Sequence, residues 1–256
     1  MDYQKIPYDS WTNEKIGMTY LFYKTKDESV SVSLKSETVS TELMHSVDGA
    51  FSETVYLYQD IIQYALKTCN SERKFNFLSL GLGLGYVEIM VCAYFLKHCP
   101  NENFTVFSYE ENEDLRNFFY KFIFEEQIPA PFQQCYESIL QNFSQLYSLE
   151  INQLKNELKR RISQSQILLE GSFSLETKIN EPIHGLFFDA FSINTSPDLW
   201  EDSLLHHILG FCDEYTSFAT YAARTHLKRV LLEHRYQLAK KKGYGGKKES
   251  TFAFRP

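Results

Sequence analysis

The architecture turns on "FNFLSLGLGLGYVEIM", residues 75–90. An apolar run enters Gly81, Gly83 and Gly85, spaced one residue apart, and apolar residues resume at once over a length that suits a helix. Glycine is needed where the backbone takes positive φ or where a ligand presses close to it. A strand that enters such a turn and leaves it as a helix is the setting in which a glycine motif carries meaning.

Outward from this turn, strands and helices alternate. Residues 74–80 read as a strand and 86–98 as a helix; "FTVFSYE" (104–110) is a strand ending in acid, and 112–128 is a helix stopped by "PAP". Ile139, Phe143, Tyr147, Ile151, Leu154, Leu158 and Ile162 keep helical spacing over residues 136–162, which predicts one long helical element lying on the main fold. Strands follow at 165–172 and 184–192, then a helix over 198–211 with Asp198 as its amino cap. A strand at 215–222, a helix at 224–234 and a final hairpin around Gly243, Gly245 and Gly246 complete the series. Ahead of it, residues 18–36 alternate like a hairpin turning at Lys26-Asp27-Glu28, and Val55, Tyr58, Ile61, Ile62, Ala65 and Leu66 mark an amphipathic helix. Repeated strand–helix units imply a parallel sheet with helices on both faces. Ligands in such sheets bind at the carboxyl ends of the strands.

Composition narrows the function classes. A chain of 256 residues with 43% hydrophobic residues buries a sizeable core. The five cysteines form no C-x-x-C pair and have no histidine at metal-ligand spacing, so reduced thiols in a cytoplasmic protein without a metal site are expected. The amino terminus lacks the regions of a signal peptide. The longest apolar run, "VEIMVCAYFL", is too short to span a bilayer and contains Glu88, so no membrane role is expected. Net charge is -7, unevenly placed: residues 224–256 carry +8 and the first 223 carry -15. Such asymmetry fits a polyanion contact at one end, and a solvated basic face equally well.

The spacing G-x-G-x-G differs from the dinucleotide pattern G-x-G-x-x-G, in which a helix amino terminus faces a pyrophosphate. No basic residue stands in or beside the turn. Both facts favour S-adenosylmethionine, which has no phosphate, over a phosphate-bearing cofactor. Glu110 ends the next strand, where an acid accepts both ribose hydroxyls; NAD would use it in the same way. A tight turn without ligand is the plain alternative, at the stability cost of three close glycines.

"HGLFFDAFSINTSPDLW" (184–200) runs an apolar strand straight into Asp189. An aspartate at a strand end is commonly a turn former. Its place after the right number of strand–helix units points instead to the tip that faces a transferable methyl.

Taken together, "MHSVDGAFSE" (44–53), "SLGLGLGYV" (79–87), "DAFSINTSPDLW" (189–200), "TYAARTHLKRVL" (220–231) and "GYGGKKES" (243–250) resemble, in order, the motifs of the MnmC-type methyltransferase domain. That family completes 5-methylaminomethyl-2-thiouridine at the tRNA wobble position. Ser79 stands where the family has an acid, Val87 where it has Asn, Ser172 where Asp follows the glycine, and Ile193 in place of a Pro. The resemblance implies an α/β, Rossmann-like S-adenosylmethionine-dependent methyltransferase fold with a seven-stranded, mostly parallel sheet. It implies a hairpin-and-helix extension over 1–68 and a methyltransferase domain over 69–256 with a helical insertion at about 128–165, in a stand-alone form without the FAD oxidase domain.

It also assigns roles. Gly81, Gly83, Gly85, Glu110, Gly171, Ser172, Asp189, Ala190 and Phe191 are expected at the cofactor, with Asp189 as the catalytic group that orients the amine and relays its proton. His45, Glu53, Phe191, Trp200, Tyr221, Arg224, Lys247 and Lys248 are expected at the acceptor, an exposed wobble base in a tRNA anticodon loop. Unpaired bases are held by aromatic stacking and phosphate contacts. Two other classes stay open: a methyltransferase acting on a small molecule or protein, which the acidic bulk favours, and a non-catalytic module that has lost the cofactor.

Overall fold

The computed structural model describes residues 6–38, 40–68, 74–190, 195–246 and 248–256. Three antiparallel strands come first, β1 (Asp9–Asn13), β2 (Met18–Lys24) and β3 (Val30–Lys35), in the order β1-β2-β3. The expected hairpin is β2–β3; β1, only half-buried, adds an edge that sequence alternation did not announce. Tyr20 and Phe22 are fully buried and meet the Phe132 ring at 5.3 and 4.9 Å between centroids.

The hairpin turn has a second task. It caps α1 (Ala50–Thr68). Ser29 Oγ accepts the backbone N–H groups of Ala50 and Phe51 at 3.0 Å each, and Asp27 Oδ2 accepts that of Ser52 at 2.9 Å. The unpaired donors of the first helical turn are thus satisfied by a different element rather than by the preceding residue.

Then come β4 (Phe75–Leu80), α2 (Tyr86–His98), β5 (Phe104–Tyr109), α3 (Glu113–Ile123), α4 (Ala130–Tyr147), α5 (Ile151–Ser163) and β6 (Ile167–Glu170). The chain closes with β7 (Ile183–Phe188), α6 (Asp202–Gly210), β8 (Cys212–Thr220), α7 (Thr225–Glu233), β9 (Gln237–Lys241) and β10 (Ser250–Phe254). Seven of these strands form one sheet in the order β6-β5-β4-β7-β8-β10-β9. The first five pair in parallel, and β10 is antiparallel to both neighbours. Every residue of β4 and β7 is buried, as expected of central strands covered on both faces. Helices α1, α2, α4 and α5 share one core with Phe75, Phe77 and Phe187, while α6 and α7 share the other with Leu78, Leu80 and Phe188.

Two local expectations change. The helix expected over 136–162 is broken into α4 and α5 at Ser148, which takes φ 51. The apolar rows of the two pieces stay nearly in phase across a three-residue link without Gly or Pro, so periodicity could not reveal the break. Asp198 does not cap α6. It lies in a 3-10 turn, Pro197–Trp200, and the helix begins after Glu201 without a side-chain cap. Pro197 starts the tighter turn because its φ is preset and its missing N–H is not needed there.

Candidate active site

The chain order reverses between β4 and β7: from β4 it runs outward through β5 and β6, then returns to the other side of β4. At the carboxyl ends of these strands lies a cavity of about 880 Å³. It is walled by the residues that follow each strand: Gly81 and Gly83 after β4, Glu110 after β5, Ser172 after β6 and Asp189 after β7. Its far wall comes from the N-terminal segment, through Glu42, Met44, His45 and Glu53, with Tyr221 beside them.

The three glycines do three different things. Gly81, φ 99, lies against the end of β7; a Cβ there would stand 2.7 Å from the Asp189 carbonyl oxygen. Asp189 N–H donates to Leu80 O at 2.9 Å, so turn and aspartate are locked together by backbone. Gly83, φ 50, faces the cavity, and its N–H donates to Glu110 Oε2 at 3.0 Å. Gly85, φ 74, lies outside the cavity lining, and a Cβ there would meet the Phe119 ring at 2.3 Å. The place expected of Gly85 in the cofactor seat therefore gives way to close packing of α2 on α3.

Glu110 also accepts the Asn112 N–H, on Oε1 at 2.9 Å. Burial raises its pKa and the two backbone donors oppose the rise. Each carboxylate oxygen keeps a second lone pair for a diol. A side-chain-free turn at Gly83, a pinned carboxylate and a cavity within the usual volume range of cofactor sites fit an adenosine-bearing ligand.

Behind the turn is a second acid. Glu88, in the first turn of α2, is fully buried. Burial pushes its carboxyl up to about 7, against the hydrogen bond it accepts from Ser108 Oγ at 2.6 Å. Ser79 pairs with Ser108 across β4 and β5 and is buried away from the cavity, whereas Val87 lines it.

Of the residues expected at the acceptor or the cofactor, His45, Glu53, Asp189, Ala190 and Tyr221 lie together in the lining. Glu53 Oε2 accepts Ser46 N–H at 2.6 Å, and His45 packs edge-on to the Tyr86 ring at 4.8 Å. Burial, then Glu42, Asp189 and Glu53, raise the Tyr221 phenol well above its usual value. Trp200 is not available to stack on a base: it is 2% exposed and packs against Phe188 at 4.9 Å, outside the lining. Gly171 is likewise outside it, next to Ser172, which is inside. Arg224 and Lys248 are exposed on the surface, and Phe191 and Lys247 lie outside the described residues.

Sequence reading missed Glu42, Met44, Tyr109 and, above all, Tyr58, whose hydroxyl donates to Asp189 Oδ1 at 2.6 Å. In the sequence Tyr58 is one more position on an apolar helix face, which carries no signal of a polar task.

A family profile described as S-adenosyl-L-methionine-dependent methyltransferase matches residues 126–256. The chain belongs to that family. The bifunctional protein MnmC of tRNA 5-methylaminomethyl-2-thiouridine biosynthesis from Idiomarina loihiensis is 22% identical over 238 residues, 87% of this chain and 36% of the relative. The protein of the same name from Legionella pneumophila is 31% identical over 90 residues, 35% of this chain and 14% of the relative. The chain thus spans about a third of the length of the Idiomarina MnmC protein. In fold it is similar to MNMC2 from Aquifex aeolicus, with a TM-score of 0.64 and 20% identity over 91% of this chain and 70% of that one. It is also similar to spermidine synthase from Thermotoga maritima, with a TM-score of 0.52 and 12% identity over 98% and 73%. The chain is thus an S-adenosylmethionine-dependent methyltransferase by family, and its similarity to MnmC extends over most of its length. Among the described residues, no helix is long and apolar enough to cross a membrane, and no group of three or more His, Cys, Asp or Glu is arranged to hold a metal ion.

Proposed function

We propose that this methyltransferase completes an aminomethyl group on the wobble uridine of tRNA in the cytoplasm, with Asp189 handling the amine. The observation that carries the reading is Asp189 at the tip of β7, locked across Gly81 to the glycine turn and facing the chamber walled by Glu42, His45, Glu53 and Tyr221. Adenosylmethionine, when bound, supplies an electrophilic methyl group on a sulfonium. Gly83 and Glu110 would hold its ribose end, with Ser172 and Val87 along the same wall. Asp189 accepts a hydrogen bond from the amine, directs the nitrogen lone pair, and takes up the proton that the nitrogen sheds.

Similarity to relatives named for tRNA thiouridine biosynthesis supports the acceptor. So does the surface. Tyr244 donates to the Asp48 carbonyl at 3.5 Å, which sets the basic final hairpin beside the loop that carries His45. Lys228 and Lys241 are engaged by Glu249 and Asp60 at 2.7 and 2.6 Å, and the phosphate contacts proposed here are the exposed Arg224, Lys242 and Lys248 together with Lys247.

One observation favours a second reading, a small cationic amine as acceptor. The lining contains Glu42, Glu53, Glu110, Glu111, Glu176, Asp189, Asp198 and Glu201, and among the described residues no Lys or Arg. Methyl transfer to tRNA lacking the modification, run beside transfer to diamines and polyamines, separates the two. The tRNA reading requires methylated wobble nucleoside and a drop of about 10²–10⁴ in turnover for Asp189→Asn. Transfer to amines alone replaces it with the second.

A further inference from the structure

Tyr58 is a phenol where a phenylalanine would pack as well. It lies on the buried face of α1 with Leu57, Ile61 and Ile62, is 1% exposed, and meets Phe187 edge-on at 5.9 Å. A buried hydroxyl costs stability unless it is bonded. That bond is present: its O–H donates to Asp189 Oδ1 with 2.6 Å between the oxygens.

We propose that Tyr58 is a positioning residue for Asp189: its hydroxyl fixes the plane of the carboxylate that lines the cavity and holds it in the ionised form. The proposal rests on the reading of Asp189 as the group that handles the amine. The backbone of Asp189 is already restrained. Its N–H is held by Leu80 O at 2.9 Å, and its carbonyl abuts Gly81. Tyr58 adds a restraint on the carboxylate itself, from the side of α1. The helix is itself fixed from outside, since Asp27 and Ser29 cap its first turn. Tyr58 stays a donor through the working range, because burial, then Asp189 and Glu53, push its phenol well above the usual value. Among the described residues, Glu42, His45, Glu53 and Tyr221 are the titratable groups walling this chamber, and Glu110, Glu111, Glu176, Asp198 and Glu201 lie farther along the same lining.

A donor to the charged form of a carboxyl lowers its pKa, and removing that donor raises it. Tyr58→Phe, which deletes only the hydroxyl, is therefore expected to lower kcat by about tenfold while leaving KM for adenosylmethionine unchanged. The acid limb of kcat/KM is expected at higher pH by about half a unit or more. In the ligand-free protein, the carboxyl-carbon NMR titration of Asp189 moves the same way. In the wild type, where folding of a variant is not at stake, the Tyr58 hydroxyl resonance moves as Asp189 is protonated. An inert Asp189→Asn together with an unmoved Asp189 midpoint in Tyr58→Phe overturns the positioning role alone, as does a hydroxyl resonance that ignores the Asp189 titration. Near wild-type turnover in Asp189→Asn overturns the reading of Asp189 itself and this proposal with it.

Discussion

The two walls of the cavity are built by opposite means. The wall from the glycine turn to Glu110 is made of residues that directly follow adjacent parallel strands, and its key contact, Gly83 N–H to Glu110 Oε2, is set by strand register. The facing wall, from Glu42 to Glu53 with Tyr58 beneath it, comes from a segment whose place depends on hairpin packing and on a helix cap supplied from another element. The first is dictated by local chain geometry, the second by tertiary contacts. Damage to each should therefore look different.

The largest expected effect lies at the turn, and it separates packing from binding. Gly85→Ala places a Cβ in left-handed backbone and against Phe119, and should cost about 2–5 kcal/mol of stability in urea denaturation. Adenosylmethionine affinity of the folded fraction should hold. Gly83→Ala meets only Met44 Sδ, at 3.3 Å, and should cost about 1–2 kcal/mol while weakening cofactor binding by calorimetry. Equal binding losses in both variants would erase the distinction between the two glycines.

Glu88 tests the buried support of the same wall. Its folded pKa, about 7, exceeds the ordinary value of 4.5. The folded state thus holds a proton that the unfolded chain has released, and the stability this represents is complete below pH 4.5 and lost as pH rises through 7. Glu88→Gln should leave stability near that of the wild type at pH 5 and raise it by up to about 3 kcal/mol at pH 8. Denaturation midpoints across that range that stay parallel in the two proteins would contradict this.

The smallest effect concerns Lys247 and Lys248. Replacing Lys247 and Lys248 by Ala should reduce the slope of log affinity for tRNA against log salt by about one per lysine in contact, with little change in stability. An unchanged slope would move the RNA contact away from the final hairpin.

Much of the first wall was legible. Alternating strands and helices with glycines at a strand end bring the following residues to one edge of a parallel sheet, so Gly81, Gly83, Glu110 and Asp189 could be brought together from order, and Ser172 from the resemblance. The resemblance to the MnmC type extended this to His45, Glu53 and Tyr221. Gly85 and Trp200 show where pattern stops: each is required by a neighbour's ring, Phe119 or Phe188, and neither ring announces itself in the motif. The break between α4 and α5 was hidden for a similar reason, since two helices in phase read as one.

By itself, then, the sequence determined the alternation of elements, the parallel sheet and the cluster of glycines and acids at its carboxyl edge, because these follow from local periodicity and chain direction. Only the tertiary structure decided which glycine serves packing, which acid lies behind the turn, and that a tyrosine of α1 grips Asp189. Those depend on side chains between 20 and 131 residues apart meeting in a packed core, and no spacing along the chain encodes such a meeting.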